Sequence, residues 1–297
     1  MDDQSDVDRV VASFMGARPR MFGIAYRMLG SVSQAEDVLQ EVWIRWQGTD
    51  TDAIREPVAF LTTATTRIAI NVLQSARHRR ETYIGPWLPE PVDTSSDPAL
   101  GAERGEALEM AVLLLLEKLT PTERAAYVLR EAFDYPYDRI ADIVRISPAG
   151  ARQLVSRARK HLGEERSRSV PDQQRRRLLD AFVSAARRGD MDALEQLFDE
   201  DIVSVSDGGG VVRASRIPVA GRGRVAAFVR AFAPRFWTDV AVHPVDVNGE
   251  SAVALTRAGE GRPFAVVTIV TSDTGISRLL WLMNPHKLTG MPDQVAG

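Results

Sequence analysis

The 297-residue sequence contains no cysteine. Disulfide frameworks, thiolate catalysis and cysteine-ligated zinc are thereby excluded. Histidine is scarce. His78, His161, His243 and His286 are scattered and none sits at metal-ligand spacing, so neither a metal nor another cofactor is expected. Long apolar runs are missing as well: the stretch 111–116 is too short to span a bilayer and is soon followed by charge. The acidic start, Met1-Asp-Asp-Gln-Ser-Asp, lacks the basic-then-apolar pattern of a signal peptide, and a cytoplasmic protein without membrane contact is expected. There is no surplus of positive charge either, with 37 Lys and Arg against 40 Asp and Glu and a net charge of −3. Contact with nucleic acid must therefore come from local basic patches balanced by acidic surface elsewhere.

What is present is a 44% hydrophobic content, ample for packed cores in two or three domains. The most informative segment runs from Thr120 to Leu162. Thr120-Pro-Thr-Glu123 has the form of a capping box with proline at the first helical position. A helix over 137–144 places Ile140 and Val144 on one face, and a short turn, Arg145-Ile146, follows. Ser147-Pro148 then starts another helix as cap and first-turn proline. In it Ala151, Leu154, Val155, Ala158 and Leu162 form an apolar stripe, while Arg152, Gln153, Ser156, Arg157, Arg159 and Lys160 take the other faces. Two helices across a tight turn, the second rich in Arg and Gln, suit the DNA major groove better than a merely solvated hairpin. Gly150 within that helix costs roughly 1 kcal/mol relative to alanine.

Composition divides the chain into a helical domain at 1–80, a linker at 81–98, a helix-turn-helix domain at 99–168 and a last domain at 169–297. The first linker holds Gly85, Pro86, Pro89, Pro91, Pro98 and the run Thr94-Ser-Ser96. Asp97-Pro98 has the form of a cap and first-turn proline. A second polar linker lies near 163–174. The last domain shows helix-helix followed by Val- and Ile-rich runs at 240–247, 252–256, 264–271 and 276–282, the pattern of an α+β domain after two all-α ones.

Two helices of the first domain carry surface patterns. In the stretch 33–46, Val38, Leu39, Val42 and Trp46 are spaced for a core face, while Glu36, Asp37, Gln40 and Glu41 leave an acidic one. Spacing alone leaves two readings open, an ordinary solvated face favoured by the helix dipole and a surface for a basic partner. After Pro57, Leu61, Thr65, Ile68 and Val72 can pack inward. Thr63, Arg67, Asn71, Gln74 and Ser75 form a polar side leading to Arg77, His78, Arg79 and Arg80. Such a helix can meet bases and phosphates, and its basic end also complements the helix dipole.

The order of these segments resembles that of bacterial RNA polymerase sigma factors of the extracytoplasmic-function (ECF) class, which keep only regions 2 and 4. The resemblance spans residues 10–165. It rests on Ala25-Tyr-Arg-Met-Leu-Gly30, Ala35-Glu-Asp-Val-Leu-Gln-Glu-Val-Trp43, Arg67-Ile-Ala-Ile-Asn71 and Ala151-Arg-Gln-Leu-Val-Ser-Arg-Ala-Arg159. It implies RNA polymerase core (β′ clamp and β flap) and promoter DNA as partners, with Asp37, Gln40 and Glu41 on the core. It implies a minus-ten surface of Arg67, Asn71, Gln74, Arg77, Arg79 and Arg80. A minus-thirty-five surface of Ser147, Arg152, Gln153, Ser156, Arg157, Arg159 and Lys160 follows likewise.

A narrower resemblance joins Trp87-Leu88-Pro89-Glu90-Pro91, Asp207-Gly208-Gly209-Gly210 and Asn284-Pro285-His286-Lys287-Leu288. These look like signatures of the subgroup with a SnoaL-like, NTF2-fold C-terminal extension, and they imply an interdomain regulatory contact. Val211 and His286 stand where that subgroup usually has lysine and aspartate. The expected fold is thus two all-α sigma domains followed by an α+β cone. The expected function is promoter-specific transcription initiation controlled in cis by the last domain, without enzyme activity. Two alternatives are a ligand-sensing DNA-binding regulator and a bifunctional protein whose cone is an isomerase or cyclase. All five tyrosines precede the last domain, so a tyrosine oxyanion donor within it is not expected. Asp239, His243 and Asp246 are its nearest acid–base groups, with Asp239 and His243 expected on one strand face. Trp237 and Trp281 are read as core, although an apolar cone could take a small-molecule ligand.

Overall fold

The computed structural model describes residues 2–80, 83–94, 109–163 and 170–293, excepting the side chains of residues 2–7, 52 and 76–80. Two compact units are present. One joins Met1–Glu81 with Pro98–Glu165, and the other joins Thr82–Asp97 with Arg166–Gly297. The Asp97-Pro98 cap lies outside the described residues.

The first unit is helical. Helix α1 (Asp2–Leu29) packs against α2 (Val32–Gln47) and α3 (Pro57–Arg80). Met21, Ile24, Ala25, Met28, Val42 and Leu61 are fully enclosed in the core. The expected core face of α2 is observed: Val38, Leu39, Val42 and Trp46 are buried, and the Trp46 indole donates to the Val10 carbonyl at 3.0 Å. Ser31 caps α2 by accepting from the Gln34 amide. Then come α4 (Met110–Leu116), α5 (Pro121–Glu131), α6 (Tyr137–Val144) and α7 (Pro148–Gly163). The capping box at the start of α5 is complete, with both reciprocal bonds formed. Burial pushes the Glu123 carboxyl up, but hydrogen bonds from Thr120 and Arg157 outweigh it and hold the group below the usual carboxylate range.

The second unit holds α8 (Asp172–Arg188), α9 (Met191–Leu197) and α10 (Arg222–Phe236). Its six-stranded sheet runs in the order β2-β1-β6-β5-β4-β3. The strands are β1 (Phe198–Asp207), β2 (Val219–Ala220), β3 (Val240–Val247), β4 (Glu250–Arg257), β5 (Ala265–Thr271) and β6 (Ile276–Leu282). β1 and β6 pair in parallel and every other pairing is antiparallel. The core between helices and sheet gathers Phe182, Phe198, Ile202, Val225, Leu255 and Trp281. Trp237 and Trp281 are buried, as read from the sequence.

Three features differ from the sequence reading. β1 was not marked by its pattern, because Asp199, Glu200, Asp201, Ser204 and Ser206 belong to residue types that strands disfavour. Asp239 does not share a strand face with His243. It precedes β3 in a left-handed conformation (φ 54°), and its carbonyl accepts from the Ala258 amide. Third, Tyr83 reaches the last domain from the linker and brings it a phenol. The edge strand β3 carries Pro244, tolerated there because an edge has one side with no ladder to break.

Candidate functional site

Asp207 ends β1 fully buried. A buried carboxylate must be paired and hydrogen-bonded. One oxygen accepts from the Tyr83 hydroxyl (2.5 Å) and the Gly209 amide (3.1 Å). The other accepts from the Leu88 amide (2.8 Å) and the Lys287 ammonium (2.7 Å). Lys287 also donates to the Leu88 carbonyl and lies over the rings of Trp87 (4.2 Å) and Tyr83 (5.1 Å). Asn284 donates to the Tyr83 hydroxyl at 2.9 Å, while its Oδ1 caps the short turn Pro285–Lys287 through the His286 amide. Burial, then the bond to Asp207, pushes the Tyr83 phenol well above its ordinary value.

The three expected motifs thus converge on one buried network, and the triple glycine is more than a turn. A Cβ on Gly209 (φ 60°) would lie 2.2 Å from the Asn284 amide nitrogen. One on Gly210 would lie 2.9 Å from Ile84. Leu88 is fully buried, and Pro89 and Pro91 are buried too, whereas Trp87 and Glu90 are half-buried. Farther along, Val92 and Asn248 exchange bonds: the Asn248 side-chain oxygen accepts from the Val92 amide, and the Asn248 backbone amide donates to the Val92 carbonyl. Asp93 bridges Val247. The side chains of Val211 and His286 are exposed and take no part in this network. Tyr83, Ile84 and Asn248 were missed from sequence. The one signal was a tyrosine four residues before Trp87 in a proline-rich stretch.

In the helix-turn-helix, Arg145 adopts the left-handed conformation (φ 58°) that ends α6, and Ser147 caps α7 through the Gly150 amide. Arg152, Gln153, Ser156, Arg157, Arg159 and Lys160 are all exposed on α7. Arg157 is paired with Glu123 (3.3 Å) and Arg159 with Glu131 (2.7 Å), while Arg152 lies over the Tyr137 ring. In α2, Asp37, Gln40 and Glu41 are exposed on one side, and Glu41 pairs with Arg45. Glu36 is engaged by Arg18.

In α3, Asn71 and Gln74 are exposed. The side chains of Arg77, Arg79 and Arg80 lie outside the described residues. Arg67 is engaged within the unit, donating from Nε to the Ile143 carbonyl (2.9 Å) and from a terminal nitrogen to the Asp142 carbonyl (2.8 Å). It therefore caps the end of α6, and the negative end of that helix favours the cation. Burial, then the charge of Arg145, lowers its pKa from the ordinary value. Nearby, the Tyr135 hydroxyl bonds to Thr62, and buried Arg124 of α5 donates to the Met28 carbonyl of α1 and to Glu117. Burial pushes Arg124 down to about 9, which leaves it charged at neutral pH.

The cone holds a small apolar cavity of about 60 Å³ lined by Phe228, Phe232, Phe236, Trp237, Trp281 and Met283. Among the described residues its polar lining is Ser206, Arg213 and Ser215, with no carboxylate or imidazole to act as a base. His243 instead bonds the Thr256 hydroxyl, and Asp246 lies 3.6 Å from Arg176. Among the described residues no cluster of metal-ligating side chains occurs.

The models of sigma-70 region 2 and sigma-70 region 4 match residues 14–79 and 109–162, and that of the SnoaL-like domain matches 179–276. The ECF RNA polymerase sigma factor SigJ of Mycobacterium tuberculosis is 35% identical over 95% of this chain and 94% of its own. This chain belongs to the ECF RNA polymerase sigma factors. The probable sigma factor SigI of the same species is 32% identical over 99% of both chains. The crystal structure of SigJ from that species covers 96% of this sigma factor and is itself covered completely, with a TM-score of 0.76 at 30% identity.

As a sigma factor the protein works with RNA polymerase core and promoter DNA in transcription initiation. Its relatives are sigma factors rather than enzymes. Helices α1 to α3 fall largely within the region 2 match, α4 to α7 within the region 4 match, and most of the sheet domain within the SnoaL-like match. No helix among the described residues is long and apolar enough to cross a membrane.

Proposed function

We propose that this sigma factor is controlled in cis, its SnoaL-like domain gripping the segment that joins region 2 to region 4. The supporting observation is the Asp207 network, which engages Tyr83 and Leu88 of that segment through buried charge and ring contacts. In this reading the working parts are region 2 (1–80), the linker (81–98), region 4 (99–168) and the regulatory domain (169–297). Asp37, Gln40 and Glu41 dock on the β′ clamp of polymerase, and region 4 meets the β flap. Asn71 and Gln74, with Arg67, Arg77, Arg79 and Arg80, read the minus-ten element, and the exposed face of α7 reads the minus-thirty-five element. Arg67 can serve DNA only after leaving the carbonyls of α6, so promoter use and the packing of region 4 on α3 compete for it. The small aromatic cavity supports an apolar ligand of a few heavy atoms as a further input.

The test is run-off transcription with purified core polymerase on a promoter library. Full-length protein is compared with a version ending near residue 167 and one trimmed from Asn284. Promoter-selective transcripts from all three are expected, with higher yield once the grip is lost. Unchanged promoter output and compactness after trimming would overturn the cis-control reading.

A further inference from the structure

Within the unit formed by regions 2 and 4, five arginines line one open cleft of about 600 Å³. Arg45 and Arg67 come from α2 and α3, Arg55 from the connection between them, and Arg139 and Arg145 from α6 and its turn. Glu56 is the one acid among the described lining residues. Local pairing offsets only part of this charge. Arg45 is matched by Glu41 and Arg139 by Glu56 at 3.4 Å, while Arg67 spends its donors on carbonyls. Arg55 and Arg145 are exposed and form no ion pair among the described residues. Guanidinium groups gathered on one cleft repel each other until an anion lies among them. The lining also includes Phe60, a residue 37% exposed although its ring touches Trp46.

We propose that this cleft binds a nucleotide, its polyphosphate held by Arg55, Arg139 and Arg145, with the charge of Arg67 behind them, and its base laid on Phe60. Guanidinium forks match phosphate oxygens in pairs, and an aromatic face stacks any base. The cleft volume suits a molecule of that size. Because the phosphate-holding residues belong to both regions, the bound form is the one with region 4 packed on α3. A nucleotide therefore favours that arrangement and opposes release of Arg67 to DNA.

The experiment is calorimetric titration of the full-length protein with ATP, sodium tripolyphosphate, adenosine and a single-stranded DNA decamer. Wild type and an Arg55→Gln/Arg145→Asn double variant are compared, asparagine being chosen because it tolerates the left-handed backbone at that position. ATP is expected to bind, tripolyphosphate to bind more weakly and adenosine not to bind. The double variant should lose about tenfold or more in ATP affinity, equivalent to about 1.4 kcal/mol. Phe60→Leu should bring ATP down to the level of tripolyphosphate. A ligand-free melting curve verifies folding, and if the double variant fails it, Arg55→Gln alone must still weaken ATP. No ATP binding at millimolar concentration, or equal affinity in wild type and variants, overturns the proposal. Binding of the decamer without ATP or tripolyphosphate also overturns it, making the cleft a DNA channel only.

Discussion

The chain makes two internal junctions by different means. In the first unit, region 2 meets region 4 through Arg67 and Arg124 on backbone carbonyls, Tyr135 on a threonine hydroxyl, Arg27 over the Phe133 ring and an exposed Arg139–Glu56 pair. In the second, the linker meets the sheet domain through a carboxylate with four donors, an ammonium boxed by two rings and glycines whose Cβ space is already filled. At Arg67 the carbonyls can be served by water instead, and such a bond is worth about 1 kcal/mol net. A buried ion pair tolerates no missing partner. The second junction therefore loses more than the first when a single partner is removed.

Asp207→Ala breaks the contrast most severely. It leaves the Lys287 ammonium buried without its counter-charge and should cost about 3–5 kcal/mol in urea unfolding, with the segment 83–94 becoming protease-sensitive. A loss below about 1 kcal/mol would place the strength of the grip elsewhere. Arg124→Met tests the tightest point of the other junction. Glu117 remains partly solvated, so a loss of about 2 kcal/mol is expected, confined to the helical unit. Tyr83→Phe should remove about 1 kcal/mol and change the alkaline limb of the stability curve. The native phenol holds its proton above the usual tyrosine value, so its contribution is complete below a pH of about 10 and fades as pH rises beyond it. The phenylalanine variant should lack that component of the decline. Arg67→Ala should change stability least, by about 1 kcal/mol or less. It should nonetheless lengthen the distance between spin labels on introduced cysteines in regions 2 and 4, labels that the cysteine-free background makes unambiguous. An unchanged distance would mean that Arg67 does not help hold the junction.

Elements with local signals were legible in the sequence. Thr120-Pro-Thr-Glu and Ser147-Pro mark the starts of α5 and α7, and the strands at 240–247 and 276–282 have the expected bounds. Residues whose meaning depends on a distant partner were not. β1 earns its place through Ile202, Ser204 and Ser206 facing inward between two neighbours, which its acidic start conceals. The glycines after Asp207 look like any turn until Asn284 and Ile84 fill the space beside them. Arg67 reads as a base or phosphate contact, and nothing local announces that the carbonyls of Asp142 and Ile143 have taken its donors. Tyr83 precedes the domain it serves, and nothing beside it in the chain announces Asp207 as its partner.

One end of the sheet has a bearing on how the protein behaves at high concentration. β3 is an open edge, and an open edge recruits strands from other molecules. Here Pro244 leaves a gap in the row of donors, and the linker bridge at Asp93 occupies the end near Val247. The same proline-rich segment that is gripped by Asp207 thus also shields a sticky border. Detaching it, or replacing Pro244 with valine, would expose a longer uninterrupted edge and turn a dispersed protein toward self-association.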